Sequence, residues 1–338
     1  MADTKIEWTD SVWNPVTGCT KVSDGCRNCY AQRMAQRLKD RHGYPADDPF
    51  RVTLHPERLE EPLRWRKRRR VFVCSMGDLF HEAVPSAYIA RVWQRMRDVG
   101  GGLDALGHTW IVLTKRPARM RSWLANCGNG GGRGWITHNG DDPTSHGGTG
   151  IIVGDAHRWP LPDVWLGVSA EDQATLDERV PLLLDTPAAV RFVSLEPLLG
   201  PVDLRSGTVD RLTGQATWLP GVGSPADRRV DWVIVGGESG PCARTCDVAW
   251  IRSVVRQGRE AGVPVFVKQL GRTCRMSRGD AFQPVACGAG WNANKPGGNQ
   301  GEVQFVDLKG SDPTEWPEDL RIREWPAAGR DVVEVEDA

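Results

Sequence analysis

Residues 18–31 read GCTKVSDGCRNCYA and place Cys19, Cys26 and Cys29 in one short segment, with six and then two residues between them. Three thiolates so grouped can hold three irons of a 4Fe-4S cluster and leave the fourth iron open to an outside ligand. Zinc is the second possibility. It prefers four protein ligands in a structural site, and no second CxxC or HxxxH stands in register, so Cys74, His81, His42 or Cys127 would have to supply one from afar. A third possibility, three small loop residues without a metal, fits the density of cysteine poorly. Nine cysteines is an odd total, the opening MADTKIEWTD lacks an apolar signal region, and no apolar run approaches membrane-spanning length. The expectation is a cytoplasmic protein with reduced thiols and no membrane segment.

The elements that must position this cluster follow from a repeating pattern. Apolar runs rich in Val and Ile occur at residues 12–19, 71–80, 108–117, 164–172, 190–200, 230–240 and 263–271. Most lack polar alternation, as strands buried on both faces of a parallel sheet do. Helix-like stretches at 30–41, 86–98, 170–184 and 247–260 lie between them. This rhythm predicts an α/β fold, a partial or complete parallel (β/α) barrel over residues 1–271, with a doubly wound sheet as the alternative. Polar, glycine-punctuated stretches near 125–160 and 204–229 read as loop insertions, and 272–338 as an irregular C-terminal extension.

In such a barrel the cysteine segment is the loop after the first strand, on the face where active sites are built. Other strands also end in polar residues. Ser75, Met76, Gly77, Asp78 and His81 follow the second run, and Thr114, Lys115 and Arg116 end the third. Ser169 and Glu171 end the fourth, Ser194 and Glu196 the fifth, Gly236, Gly237, Glu238 and Ser239 the sixth, and Lys268 and Gln269 the seventh. Any one of these is ordinarily a helix cap. Their repetition predicts one ring around a pocket. The glycines of GGESG would let backbone approach a ligand closely.

The blocks WTDSVWNPVTGCTKVSDGCRNCYA, SMGDLFH, LTKRP, VWLGVS, SLEPLLGP, DWVIVGGESG and VPVFVKQ resemble the phage Gp37/Gp68 family, also called DUF5131 or three-Cys-motif proteins. A more distant resemblance, resting on the cysteine loop and the barrel rhythm, is to radical S-adenosylmethionine (SAM) enzymes, including DNA-repairing lyases. That resemblance implies a 4Fe-4S cluster on Cys19, Cys26 and Cys29, although its usual spacing is three then two. It implies SAM held near Ser75, Met76, Gly77 and Asp78, with Ser169 and Glu171 at its ribose or carboxylate and Glu196 beside the adenine; the strand-six residues Gly236, Gly237 and Glu238 complete the cofactor set. The implied activity generates a 5'-deoxyadenosyl radical for modification or repair of a nucleic acid or nucleotide. The resemblance also implies a three-Cys-motif partner protein and, for a phage-encoded member, the host cytoplasm.

Net charge is zero, with 43 basic and 43 acidic residues, so the total names no partner. Locally, RWRKRRR packs six basic residues from Arg64 to Arg70. It is either a solvated surface or a patch for the phosphates of DNA or RNA. Trp65, Trp135 and Trp159, near basic groups, are candidates to stack on splayed bases, although most of the 15 tryptophans should be core. The rival reading from a different class is a zinc-stabilised nucleic-acid-binding protein without catalysis of its own.

Overall fold

The computed structural model describes residues 4, 6–100, 107–128, 134–136, 151–154, 160–206, 210–214, 228–277, 291–292, 300–305, 307 and 309–327. The expected insertions at 125–160 and 204–229 lie largely outside these, as do Trp159 and the acidic C-terminus.

Seven strands form one sheet: β1 (Ser11–Trp13), β2 (Arg70–Val73), β3 (Thr109–Thr114), β4 (Val164–Ser169), β5 (Val190–Leu195), β6 (Trp232–Gly236) and β7 (Val265–Gln269). Their spatial order is their chain order and every pairing is parallel. Consecutive crossovers of one hand put their connections on one side of a sheet. The sheet therefore curls with its helices outside, and because β1 and β7 do not pair, the result is a half-barrel. The fold is thus the partial form of the expected barrel.

The helices are α1 (Tyr30–Arg37), α2 (Ser86–Gly100), α3 (Pro117–Gly128), α4 (Gln173–Leu184) and α5 (Val248–Ala261). Asp172 caps α4 in a reciprocal capping box with Thr175. Asp247 caps α5, and Gly262, at φ 66°, ends it. The sequence reading did not foresee α3, whose start is signalled by Pro117 in the first turn.

Strand residues alternate between two cores. Val71, Val73, Trp110, Val112, Leu166, Val168, Val193, Val233, Val235, Val265 and Val267 pack outward with the helices. Facing inward, Phe72, Ile111, Trp165, Phe192, Trp232 and Phe266 meet Trp8, which crosses the half-barrel from the N-terminal segment. The Trp8 ring lies 4.7 Å from that of Phe72 and 6.3 Å, edge-on, from Trp232. Gly167 leaves room for this layer, since a Cβ there would sit 2.4 Å from the Phe192 ring. Trp8, Trp165, Trp232 and Trp325 thus pack in the inner layer of the half-barrel, while Trp13, Trp65, Trp93, Trp110, Trp123 and Trp316 pack in the outer core.

Two further differences concern the ends of the sheet. Pro15 interrupts the run read as the first strand, because a residue without an N–H cannot continue a ladder. Val16–Thr17 instead turns away to pair antiparallel with Thr53–Leu54, lifting the cysteine segment off the sheet. At the far edge, residues expected to be irregular are ordered: Thr273–Ser277 pairs with Cys246–Asp247 and with Gln300–Gln304. Downstream, Arg323 bridges antiparallel to Phe266, and Val267 N–H donates to Ile322 O at 2.9 Å, covering the β7 edge. Trp325 then closes the base, its ring 5.0 Å from Phe266 and under the Arg70 guanidinium.

Candidate functional site

Above the aromatic plug, at the C-terminal ends of the strands, lies a cavity of about 310 Å³. Cys19, Cys26 and Cys29 all line it, between β1 and α1. Of the other sequence-predicted residues, Ser75, Gly77, Asp78, Ser169, Glu196, Gly237 and Glu238 also line it, whereas Met76, Glu171 and Gly236 do not. The predicted ring is real as geometry. Lys115 Nζ donates to Ser169 Oγ (2.9 Å), Ser169 Oγ to Glu196 O (3.3 Å), and Ser194 Oγ to Glu196 Oε2 (3.1 Å), while Lys268 Nζ pairs with Glu196 Oε1 at 2.8 Å.

Three of the carboxylates do something the sequence did not disclose: they pin the cysteine loop. On one side, Arg116 donates to Cys19 Sγ (3.3 Å), to Thr20 O (3.2 Å) and to Thr20 Oγ1 (2.9 Å), and is itself held by Asp78 at 3.2 Å. Asp78 also accepts from Thr114 Oγ1 at 2.8 Å. In the middle, Glu171 is wholly buried and accepts from Gly25 N–H at 3.2 Å. It is flanked by Lys115 at 2.9 Å and Arg179 at 3.1 Å. On the other side, Asn28 Nδ2 donates to Glu238 Oε2 at 3.0 Å, and Glu238 is gripped by Arg244, which also donates to Asp24 O. Arg179, Arg244 and Asn28 had no distinguishing sequence signal.

Electrostatics follow from this wiring. Burial alone would raise the Glu171 carboxyl, but Lys115, a hydrogen bond from Ser23, and Arg179 outweigh it and hold it below the usual range. Arg244 and Asn28 do the same for Glu238 against its burial. The Cys19 thiol is pushed up to about 11 by burial and by the charge of Asp78, against the pull of Arg116. Burial and Arg116 lower His81, whose Nε2 hydrogen-bonds Thr20 Oγ1 at 2.9 Å while Nδ1 accepts from Ala83 N–H.

Glycines serve the same assembly. Gly18, at φ 82°, bridges Gly77 in parallel, and a Cβ on Gly77 would meet Gly18 O at 2.9 Å. Gly77 thus seats the loop's first turn against β2. A Cβ on Gly237 would lie 2.3 Å from Leu270 O, so that glycine lets the ends of β6 and β7 approach. Among the described residues, no three His, Cys, Asp or Glu side chains converge closely enough to grip a metal ion.

The basic run lies at the opposite end of the sheet, since β2 begins at Arg70. Arg64, Arg66, Lys67 and Arg68 are exposed. Arg70 is paired with Asp10 at 2.9 Å. Trp65 is buried against His108 and Trp110, so its ring is core and does not present itself to a base. No helix among the described residues is long and apolar enough to cross a membrane.

Fold and site together define a class: a parallel α/β half-barrel whose first loop carries three cysteines over a cavity at the C-terminal mouth. The chain belongs to the family described as "Protein of unknown function (DUF5131)", whose model matches residues 3–312. No curated protein and no solved structure matches the chain.

Proposed function

We propose that the chain is a radical-SAM-type enzyme, holding a 4Fe-4S cluster on Cys19, Cys26 and Cys29 and acting on a nucleic acid or nucleotide. The observation that carries this reading is that all three cysteines of one strand-to-helix loop line a single open cavity ringed by polar strand ends. Three thiolates are the donors such a cluster takes, and binding it would have to draw Cys19, Cys26 and Cys29 closer together than they stand. His81 has both ring nitrogens engaged, which removes one of the residues considered as a fourth zinc ligand. Structural zinc sites are closed four-ligand knots. A cavity of about 310 Å³ instead has the size of a small-molecule pocket.

The chemistry such a cluster and SAM supply together is one-electron cleavage of the sulfonium, which delivers a hydrogen-abstracting adenosyl fragment. The chain's own residues would do the rest. Arg116, Glu171 and Glu238 fix the loop from three strands. Ser169, Glu196 and Lys268 present hydroxyl, carboxylate and ammonium groups for the polar ends of a bound nucleoside or amino acid. Trp8 and the aromatic layer beneath seal the floor and keep water from entering below.

Anaerobic purification with iron and sulfide analysis tests the proposal. About four irons per chain are expected for a cubane, together with 5'-deoxyadenosine formation from SAM and dithionite that disappears in Cys26→Ala. Stoichiometric zinc in a colourless protein after anaerobic reconstitution would reject it in favour of the metal-stabilised binding protein.

A further inference from the structure

A second cavity, of about 370 Å³, opens between α1 and the loop that follows β6. Arg27, Asn28, Gln32, Arg33 and Gln36 line it, with Cys242 opposite, and no carboxylate is among its lining residues. Asn28, Cys29 and Arg33 also line the cysteine cavity, so the two share a wall.

The charges of this wall differ from those deeper in. Lys115, Arg116 and Lys268, the other cations lining the cysteine cavity, are each ion-paired with a glutamate or aspartate. Arg27 and Arg33 have no carboxylate partner among the described residues. Arg33 is nevertheless seated: at Gly240, with φ 111°, a Cβ would lie 2.3 Å from Arg33 Nη1, so the absence of a side chain there makes room for the guanidinium. One helical turn before Arg33, on the same face of α1, Tyr30 stands 60% exposed at the rim of the cysteine cavity. Val22, 47% exposed, lines the same rim. An unburied ring for a base, unpaired guanidiniums for phosphates and amides for base edges form the set used to hold a single strand.

We infer that Arg27 and Arg33 clamp the phosphates of a single-stranded nucleic acid, with Tyr30 stacking on a base at the entrance to the cysteine cavity. The inference rests on the nucleic-acid part of the proposed function and not on the cluster. It moves the docking surface from the basic run at the base of the sheet to the mouth of the site.

The test is fluorescence anisotropy of fluorescein-labelled DNA and RNA single strands of mixed sequence, titrated with the full-length protein over a range of NaCl concentrations. Arg27→Gln with Arg33→Gln is expected to weaken binding at least about tenfold and to lower the salt slope by about 1.4, from two phosphates at about 0.7 each. Tyr30→Ala should weaken binding about tenfold with the slope unchanged. All three side chains are exposed or half-buried, and melting curves matching the unsubstituted protein establish that the fold is kept. Unchanged affinity and slope in the double variant would overturn the clamp. So would loss of binding only when Arg64, Arg66, Lys67 and Arg68 are replaced by Ala, or failure of the unsubstituted protein to bind either strand. Strand binding in a protein that takes up no iron rejects the cluster reading alone, and SAM cleavage without strand binding rejects the clamp alone.

Discussion

Removing the Glu171 carboxylate is the sharpest perturbation of the wiring beneath the cysteine loop. Its side chain is fully buried and faces two cations, Lys115 and Arg179, at 2.9 and 3.1 Å. Lys115 keeps a hydroxyl neighbour in Ser169 and some contact with solvent, so its loss of a partner is partly relieved. Arg179 is 2% exposed and, among the described residues, retains only the Ser169 carbonyl at 2.8 Å, so it becomes a charge stranded in the interior. Breaking a buried pair in this way costs about 3–5 kcal/mol, a large part of the 5–15 kcal/mol typical of a folded domain. Glu171→Ala should therefore lower the unfolding free energy, read from urea denaturation followed by far-UV circular dichroism, by that amount. Replacing Arg179 by Met in the same chain should recover about 1–3 kcal/mol, since the two changes share one interaction. The variant also releases Gly25 N–H, so Cys26 and Cys29 should alkylate faster than in the unsubstituted protein at denaturant concentrations where both are folded. A cost below about 1 kcal/mol, or additivity of the two substitutions, would refute the hub.

Three other outcomes follow from the two cores and the basic run. Gly167→Ala forces a methyl into the Phe192 ring and should cost about 1–3 kcal/mol in thermal or urea unfolding; an unchanged melting curve would show that the inner layer is loosely packed. His108 is buried, and burial together with Arg69 and Arg68 lowers it to about 4 from its ordinary 6.5. The unfolded chain thus takes up this proton first. Stability is full above pH 6.5 and falls by about 3 kcal/mol as pH drops towards 4, a slope that His108→Asn should flatten in urea titrations. In the basic run, Arg70→Ala should destabilise the fold measurably, because it breaks the pair with Asp10 and uncovers Trp325. Arg66→Ala and Arg68→Ala, at exposed positions, should shift the melting temperature little.

The βα rhythm was legible because each strand is buried on both faces and each carries its own apolar run. The place of the cysteine loop was legible for the same reason, as was the polar ring, which follows from strand ends all opening on one face. What escaped was whatever depends on partners distant in the chain. Asp78, Glu171 and Glu238 read as ligand-binding acids because nothing local shows that Arg116, Arg179 and Arg244 come to meet them. Pro15 did signal the end of the first strand, but a single run of apolar residues hid the turn. Trp8 and Trp325 gave no sign of being plugs, since an aromatic residue near either end of a chain has no periodicity to declare its face. Arg33 gave no local signal either, since its seat is a loop around Gly240 that lies some two hundred residues away in the chain.

The three tethers of the cysteine loop also set when the site can exist. They reach 97, 146 and 210 residues along the chain, to Arg116, Glu171 and Glu238. A chain emerging from the ribosome makes its cysteines well before the side chains that arrange them. Until β6 is in place the loop has lost its third anchor and the cavity lacks that wall, so the thiols leave the ribosome long before they have a fixed arrangement to offer. Assembly of the site is in effect a report that most of the sheet has been completed, and any ligand arriving earlier would meet three cysteines on a tether rather than a formed cavity.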